Sequence, residues 1–436
     1  FQGSRGLGDV YKRQDRDNMS QLDPPKNLTR NVLVGMFSGV LLASIFFYFQ
    51  DSISQSVFLG IEKYLFNLGG QIFKNLLLLI VVPLVFFSLV SGISSLSNMV
   101  KLGSIASKTV LLYLLTTAFA VVIAIFFGWV FNISGYEGEV TSFNAPSGEA
   151  SLYDTVLKVF PNNIFGAFVE NNMLGIVFIS ILFGIALNLT DNLTDNLSKN
   201  FERLNIVFMK IVLIIMSFAP IGVFCLMGSY VMDKGLNIFG DLIQYVLILI
   251  FVLLFHLFFT YSLVLKIFAN LNPIIFFKKM RNVALFAFTT SSSAATIPVT
   301  LKTVTDELGV KKDVSSFVIP VGATINMDGT AIMQGLATMF IASTVGVDLS
   351  MIEYIQIVLL AMVASIGAAA VPSAGTITLA LILSSLGLPL DAIGLILAVD
   401  RILDMIRTSV NVSGDAAVAC VVANSEELLD KNIFNK

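Results

Sequence analysis

The chain has 436 residues, of which 56% are hydrophobic and 13% are charged. Soluble proteins carry about 25% charged residues, so this composition excludes a water-soluble globule. The 26 Lys and Arg against 29 Asp and Glu give a net charge of -3, which excludes a basic surface for nucleic acid. One His and two Cys leave few groups for acid–base, redox or metal chemistry, so we expect no enzyme.

The first 18 residues differ from the rest of the chain. They begin with FQGS, which resembles the remnant of a cleavable tag, and show no apolar pattern. We therefore expect residues 1–18 to be a non-native polar leader. Lys26 and Arg30 precede the first long apolar run, which predicts a cytoplasmic N-terminus.

Charge-free intervals predict the membrane spans, because a helix needs about 20 mostly apolar residues to cross a bilayer. Five intervals meet this length, and 173–188 is a shorter sixth; the five are 31–50, 75–100, 109–136, 211–232 and 242–265. The polar connections 137–159 and 191–203 are predicted solvent loops. The basic cluster at 278–281 predicts a cytoplasmic loop.

Two apolar intervals of the second half are broken by polar residues. Residues 289–298 read TTSSSAATIP, and the charge-free stretch 354–390 has Gly367, Pro372 and Gly375 near its middle. Backbone that is not helical at membrane depth must be buried in protein or line a wet cavity. Two such hairpins predict a site between them. The alternative is that hydroxyls bond to carbonyls of the preceding turn and proline kinks a passive helix.

Between the hairpins, GATINMDGT (322–330) lies inside the apolar stretch 314–345. Asn, Asp and Thr around Gly predict a helix interrupted at mid-membrane. Freed carbonyls beside a carboxylate are the hard oxygen ligands that a dehydrated Na⁺ requires.

The last apolar segment, 392–424, has an unusually polar stripe. At about 100° per residue, six side chains fall within a sector of about 100°; they are Asp400, Asp404, Arg407, Thr408, Asn411 and Asp415. A charge at the bilayer centre costs at least about 2.5 kcal/mol, which favours a functional site. The alternative is that Asp404 and Arg407 merely neutralise each other.

The chemistry of this stripe indicates an amino acid ligand. Arg407 offers a planar fork for a carboxylate, and Asp404, one turn away, can receive an ammonium group. A second ligand carboxylate can use hydroxyls and amides of the Ser-rich tip. Asp328 and Asp415 remain for cations.

Together, the Ser-rich tip, NMDGT (326–330), VPSAG (371–375) and the stripe from Asp404 to Asp415 resemble the dicarboxylate/amino acid:cation symporters, the glutamate transporter homologues. The resemblance implies an all-α polytopic membrane protein with eight transmembrane helices and two re-entrant helical hairpins. It further implies a homotrimer in the inner (plasma) membrane, with both termini cytoplasmic. Its function would be sodium-coupled symport of aspartate or glutamate by an elevator mechanism.

The implied organisation follows the chain. Two scaffold spans occupy 31–100, a transport-domain span 101–136, and a polar loop with two trimerisation spans 137–235. The transport domain covers 236–424, followed by a cytoplasmic tail at 425–436. Within it lie hairpin 1 (about 275–305), the interrupted helix (314–345), hairpin 2 (about 354–390) and the last helix (391–424).

The resemblance also implies site residues, carried over position by position. The substrate pocket would comprise Ser291, Ser292, Ser293, Thr330, Val371, Gly375, Asp404, Arg407, Thr408 and Asn411. Several co-transported Na⁺ ions would occupy three positions. The first would use Gly322, Asn326, Asn411 and Asp415, and the second Thr324, Met327, Ser365 and Ile366. The third would use Tyr113, Thr116, Thr117, Asn326 and Asp328.

Five positions need separate comment. Members of the family usually carry a second arginine where this chain has Ser291 or Met405, and we hypothesise that Arg401 substitutes for it. Proton- and potassium-coupled relatives have Glu where this chain has Gln334, which favours coupling to sodium alone. His256 is interpreted as a packing residue.

Three other functions remain as alternatives. A proton-coupled C4-dicarboxylate symporter has no need for Asp404, which would repel a substrate without an ammonium group. An ion channel would explain polar residues at mid-membrane and would pass current without amino acid. A non-transporting receptor would explain binding only.

Overall fold

The computed structural model describes residues 28–95, 103–133, 157, 159–170, 172–190, 193, 197–235, 238–367 and 374–436. In this part of the chain the secondary structure is helical, and its β-type contact is an isolated bridge between Val310 and Leu429. The predicted leader 1–18 lies outside the described residues. The predicted all-α class is confirmed.

The first half contains eight helices within the described residues. They are α1 (Leu28–Tyr48), α2 (Gln55–Ile61), α3 (Leu68–Ser95), α4 (Ser104–Val130), α5 (Ile164–Val169), α6 (Met173–Thr190), α7 (Leu197–Ser217) and α8 (Ala219–Lys234). A π-helical segment, Glu62–Asn67, joins α2 to α3.

The second half begins with α9 (Ile238–Phe255) and α10 (Tyr261–Ala269), joined by a π turn at His256–Thr260. The remaining helices are α11 (Pro273–Thr290), α12 (Ser293–Asp306), α13 (Lys312–Ile325), α14 (Asp328–Thr344), α15 (Met351–Gly367), α16 (Ala374–Ser385), α17 (Ile393–Ser425) and α18 (Lys431–Asn435).

Among the described residues, three helical stretches are long and apolar enough to cross a membrane: Arg30–Tyr48, Ser104–Val130 and Leu242–Ala269. Large apolar side chains are exposed on them, including Phe37 (65%) and Trp129 (73%). Because water would penalise such surfaces, these helices suit a lipid environment. The chain therefore has the character of a multi-pass membrane protein.

The predicted span over 211–232 is not one straight helix. The helix breaks at Phe218, and α7 and α8 differ in direction by 54°. The cause is Pro220, which has no N–H to donate and whose ring crowds the carbonyl of the preceding turn. Proline is tolerated here because it lies in the first turn of α8.

Helix α1 packs very closely against α8. A Cβ added to Gly35 or Gly39 would lie within 3 Å of the carbonyl oxygens of Pro220 and Phe224, respectively. Two glycines four residues apart let helix backbones approach, as small-residue motifs do in membranes. This contact fixes the two helices of the first half as one unit.

Helix α17 is the centre of the second half, and most of its length is buried. Its C-terminal extension is also packed, although 425–436 was predicted as a tail. Lys279 Nζ on α11 donates to the carbonyls of Glu307, Ile433 and Phe434, each at 2.8 Å, and Phe434 is fully buried. The last residues thus hold the base of the first hairpin.

Candidate functional site

The tip of the first hairpin falls where the sequence predicted it. Helix α11 ends at Thr290, Ser291 adopts the left-handed conformation (φ 49°), and α12 begins at Ser293. Ser292 caps α12 by accepting a hydrogen bond from the N–H of Ala295 at 3.2 Å. Ser291 and Ser293 are buried, and the Ser291 hydroxyl has no hydrogen-bond partner within the described residues.

The predicted interruption lies between α13 and α14, at Asn326 and Met327. Two side chains of α17 stabilise it. Asn326 Nδ2 donates to Asp415 Oδ1 at 2.9 Å, and the N–H of Gly329 donates to Asn411 Oδ1 at 2.8 Å. The side-chain amide oxygen of Asn326, Oδ1, is buried and has no partner in the described part of the chain. It is a hard oxygen available to a cation.

The first predicted sodium position comes together around Gly322. A Cβ added there would lie within 3 Å of both Asp415 Oδ1 and the hydroxyl of Tyr113. Tyr113 is fully buried and donates to the carbonyl of Val318 at 3.0 Å. Only glycine leaves this space between the carboxylate and the phenol.

Asp328 is fully buried, and its carboxylate contacts three side chains that carry hydrogen-bond donors. Thr117 Oγ1 donates to its Oδ1 at 2.6 Å, while the Tyr261 hydroxyl (2.9 Å) and His256 Nε2 (3.2 Å) contact its Oδ2. The interpretation of His256 as a packing residue is incomplete, since its fully buried ring also contacts a carboxylate. Thr116 is buried nearby, with its hydroxyl donating to the carbonyl of Tyr113 at 3.1 Å.

Asp415 is the second buried carboxylate of this region. Within the described residues, no Lys or Arg nitrogen lies within 4 Å of either Asp328 or Asp415. No cluster of three His, Cys, Asp or Glu is found in that part either. A buried carboxylate needs a compensating charge, and these surroundings offer mostly amide, hydroxyl and carbonyl oxygens. The arrangement suits a weakly charged hard cation rather than a transition metal.

The polar stripe of α17 is buried as a whole, with Asp400, Asp404, Arg407, Thr408, Asn411 and Asp415 each less than 10% exposed. Arg407 Nη2 donates to Asp400 Oδ1 at 2.7 Å and to Asp404 Oδ1 at 2.8 Å. Arg401 Nη1 lies 3.6 Å from Asp404 Oδ2. The stripe is therefore an ion cluster, so the neutralising pair considered above does exist.

Neutralising the charge of Arg407 does not occupy all of its hydrogen-bond donors. Its Nε and Nη1 are buried and have no hydrogen-bond partner within the described residues. An unpaired donor on a buried guanidinium is costly. Each of these two nitrogens is a charged donor that an oxygen of a ligand carboxylate can accept from.

The second hairpin closes on the interrupted helix. Ser365 Oγ, near the end of α15, donates to the carbonyl of Ile325 at 3.2 Å and accepts from the N–H of Met327 at 3.1 Å. On α16, a Cβ added to Gly375 would lie within 3 Å of the Thr330 methyl carbon. Both arms thus contact the region of the break.

The other predicted residues are placed as follows. Thr408 Oγ1 donates to the carbonyl of Asp404 at 2.7 Å, within the stripe. The side chain of Thr324 is exposed, and its hydroxyl donates to the carbonyl of Val321 at 2.9 Å. Val371 lies outside the described residues. Ile366 follows Ser365 in the last turn of α15, and only its backbone is described.

A family model described as the sodium:dicarboxylate symporter family matches residues 28–425. The chain belongs to this family. Because the family consists of symporters, the chain is a membrane transporter and not an enzyme.

Three relatives illustrate what this symporter is similar to. The proton/glutamate-aspartate symporter of Escherichia coli (strain K12) is 32% identical over 420 residues, covering 93% of this chain and 94% of the relative. The proton/sodium-glutamate symport protein of Geobacillus stearothermophilus is 29% identical over 409 residues, covering 92% and 94%. Excitatory amino acid transporter 3 of Mus musculus is 32% identical over 413 residues, covering 82% and 78%.

Sequence analysis of this symporter did not predict that two residues, His256 and Tyr261, contact the site. They lie five residues apart, which in a regular α-helix places them about 140° apart around the axis. The π turn at His256–Thr260 changes this, because the N–H of Tyr261 bonds to the carbonyl of His256. A search for polar residues at i and i+5 in an apolar helix would have found them.

Proposed function

We propose that the chain is a secondary active transporter that carries an acidic amino acid, aspartate or glutamate, together with Na⁺. The observation that carries this proposal is Arg407, a buried guanidinium with two donors that have no partner among the described residues. Intramembrane ionisable groups of this kind mark substrate pathways. The names of the relatives above agree with glutamate or aspartate as the substrate class.

The substrate would bind by its three charged groups. Arg407 binds the side-chain carboxylate through one of its donors that has no partner among the described residues, and Asp404 receives the ammonium group. Hydroxyls and amides of the remaining predicted pocket residues donate hydrogen bonds to the α-carboxylate of the substrate. These residues are Ser291, Ser292, Ser293, Thr330, Val371, Gly375, Thr408 and Asn411. Asp400 keeps Arg407 neutralised before substrate arrives, since it accepts from Nη2 at 2.7 Å.

Sodium would bind around the break of the interrupted helix. Asp415, Asn326, Asn411 and Gly322 surround the first position, and Thr324, Met327, Ser365 and Ile366 the second. Tyr113, Thr116, Thr117, Asn326 and Asp328 surround the third. The support is that two buried carboxylates, Asp328 and Asp415, have no Lys or Arg partner in the described residues. A cation that stabilises the break also orders the second hairpin, because Ser365 bonds to both sides of it.

This coupling has sufficient energy for accumulation. One net positive charge that enters with the substrate gains about 2.3 kcal/mol per 100 mV. Tenfold accumulation costs about 1.4 kcal/mol. One net charge per cycle is therefore enough.

Sodium rather than protons is proposed as the coupling ion because of Gln334. It is fully buried on α14, and its Nε2 donates to the carbonyl of Gly375 at 3.2 Å and to Thr378 Oγ1 at 2.8 Å. An amide at this position cannot carry a proton through the cycle. Two relatives carry the word proton in their names, so the coupling ion is the first point to test.

The proposed architecture is the one that the family resemblance implies. It comprises eight transmembrane helices, two re-entrant hairpins, a homotrimer and an elevator movement, in the inner (plasma) membrane with cytoplasmic termini. The support is that the described site residues lie on α4 and on α10–α17, with His256 in the turn before α10. The tight contact of α1 with α8 lies elsewhere. A site carried by one group of helices could move as a unit.

The proposal is tested by uptake of radiolabelled aspartate and glutamate into proteoliposomes under imposed Na⁺, H⁺ and K⁺ gradients. We expect saturable uptake driven by Na⁺ and abolished in Arg407→Ala. Uptake driven by protons alone would overturn sodium coupling and favour the C4-dicarboxylate type of carrier if malate competed. Cation current without amino acid would favour a channel.

A further inference from the structure

The carboxylate of Asp328 is held asymmetrically. Its Oδ2 contacts two side chains from the segment 256–261, His256 Nε2 at 3.2 Å and the hydroxyl of Tyr261 at 2.9 Å. Its Oδ1 contacts a single donor, Thr117 Oγ1 on α4, at 2.6 Å. All four residues are at most 2% exposed, so no solvent competes for these oxygens.

The roles of the donors follow from the carboxylate. A carboxylate oxygen accepts, so in these contacts His256 Nε2 carries a hydrogen and the phenol donates its own. His256 Nδ1 has no hydrogen-bond partner within the described residues. Both donors to Oδ2 therefore point to the same atom, which fixes the plane of the carboxylate.

The backbone is built to bring these two donors together. The π turn joins the carbonyl of His256 to the N–H of Tyr261, and the rings pack edge to face with centroids 4.8 Å apart. A single π turn inside a helix carries a local cost and frequently marks a functional site. A Cβ added to Gly414 of α17 would lie within 3 Å of the Tyr261 hydroxyl and of Asn326 Nδ2, so glycine makes room for the phenol here.

The Oδ1 side has the properties of a cation position. The hydroxyl of Thr117 can rotate its hydrogen away and offer a lone pair beside Oδ1. The side-chain oxygen Oδ1 of Asn326, two residues before Asp328, is buried and unpartnered within the described part of the chain. It can coordinate a cation together with Oδ1 of Asp328 only if the Asp328 carboxylate keeps its orientation.

We propose that His256 and Tyr261 are positioning residues for sodium: they hold Asp328 Oδ2 so that Oδ1 alone is presented to the ion. This inference rests on the proposed sodium coupling and extends it to two residues outside the predicted ligand set. Partners that orient a ligating group typically change metal affinity about 10- to 100-fold when removed. Sodium affinity is thus expected to depend on two side chains that do not touch the ion.

The test uses Tyr261→Phe, which removes one hydroxyl and keeps the ring, and the pair His256→Gln and His256→Leu. The amide of Gln keeps an N–H donor, whereas Leu has none. The matched control is Thr260→Val in the same turn, because the Thr260 hydroxyl is buried and has no partner among the described residues. Each full-length variant is purified and reconstituted as the parent is.

Two measurements are made on each variant. The first is the Na⁺ concentration that half-maximally raises the melting temperature in detergent without amino acid, with choline as the reference salt. The second is the KM for aspartate at saturating Na⁺. We expect Tyr261→Phe and His256→Leu to raise the half-maximal Na⁺ concentration about tenfold or more, with His256→Gln nearer the parent. Thr260→Val should stay within twofold of the parent.

The outcomes separate the two proposals. If the parent shows no Na⁺-dependent stabilisation and no Na⁺-dependent uptake, both the proposed function and this inference are overturned. If the parent responds to Na⁺ but Tyr261→Phe and His256→Leu keep its half-maximal concentration while their melting temperatures fall, the two residues are structural only and the inference alone is overturned. A shift as large in Thr260→Val would likewise overturn it.

Discussion

Arg407 and Asp404 lie one helical turn apart on α17, and Arg407 Nη2 donates to Asp404 Oδ1 at 2.8 Å. The same nitrogen also donates to Asp400, so one corner of the guanidinium satisfies both carboxylates. The other two nitrogens, Nε and Nη1, have no partner in the described residues. Charge neutralisation by Asp400 and Asp404 therefore leaves donors of Arg407 for the proposed ligand.

The first prediction follows from this division. Arg407→Lys keeps the positive charge but loses the fork, and hydrogen bonds to charged groups contribute about 1.5–3 kcal/mol. We expect the half-saturating concentration of aspartate in proteoliposome uptake to rise about 10- to 100-fold. Arg281→Lys, an exposed position on α11, is the control and should change nothing. An aspartate affinity within threefold of the parent would exclude Arg407 as the carboxylate ligand.

The second prediction concerns Arg401, whose Nη1 lies 3.6 Å from Asp404 Oδ2. If Arg401 replaces the second arginine that the family usually carries, Arg401→Ala should weaken binding of the anionic substrate. The expected loss in affinity is about three- to fivefold, because a partly exposed ion pair contributes about 1 kcal/mol at most. Arg401→Lys should recover most of it. Unchanged or tighter aspartate binding in Arg401→Ala would dispose of this role.

The third prediction uses the missing Cβ at Gly322. In Gly322→Ala the methyl group would press on Asp415 Oδ1 and the Tyr113 hydroxyl. Overpacking costs about 1–3 kcal/mol, so we expect the Na⁺ concentration for half-maximal uptake to rise about tenfold. The control is Gly60→Ala on α2, where an added Cβ meets no atom within 4 Å. Parent-like Na⁺ dependence in Gly322→Ala would argue against a cation at this place.

The fourth prediction concerns Gln334→Glu. Only a protonated Glu could donate to the carbonyl of Gly375, as the Gln334 amide does at 3.2 Å. We therefore expect uptake by the variant to fall as the pH rises from about 6 to about 8, since ionisation removes the donor and buries a charge. Uptake by the parent should stay flat over this range. Gln71→Glu on α3 is the control, and a pH profile of Gln334→Glu identical to the parent's would contradict the argument.

The sequence by itself determined the helical class, the two interruptions near residues 291 and 326 and the residues of the polar stripe. Each of these follows from local composition. Polar residues around Gly in an apolar stretch favour a break, five hydroxyls followed by proline are too polar for lipid, and the regular geometry of a helix places Asp404 and Arg407 on one face. The tip at Ser291 and the break at Asn326 confirm this reasoning.

Only the tertiary structure decided which donor meets which carboxylate. His256 and Asp328 are 72 residues apart in the chain, and Asn326 and Asp415 are 89 apart. Such pairs depend on how helices pack, and the π turn shifts the register of α10 by an amount that no local pattern specifies. From the sequence alone, a single histidine in an apolar helix is interpreted as a packing residue. Its contact with a carboxylate depends on the tertiary structure, so the surroundings of Asp328 could not be derived from the sequence.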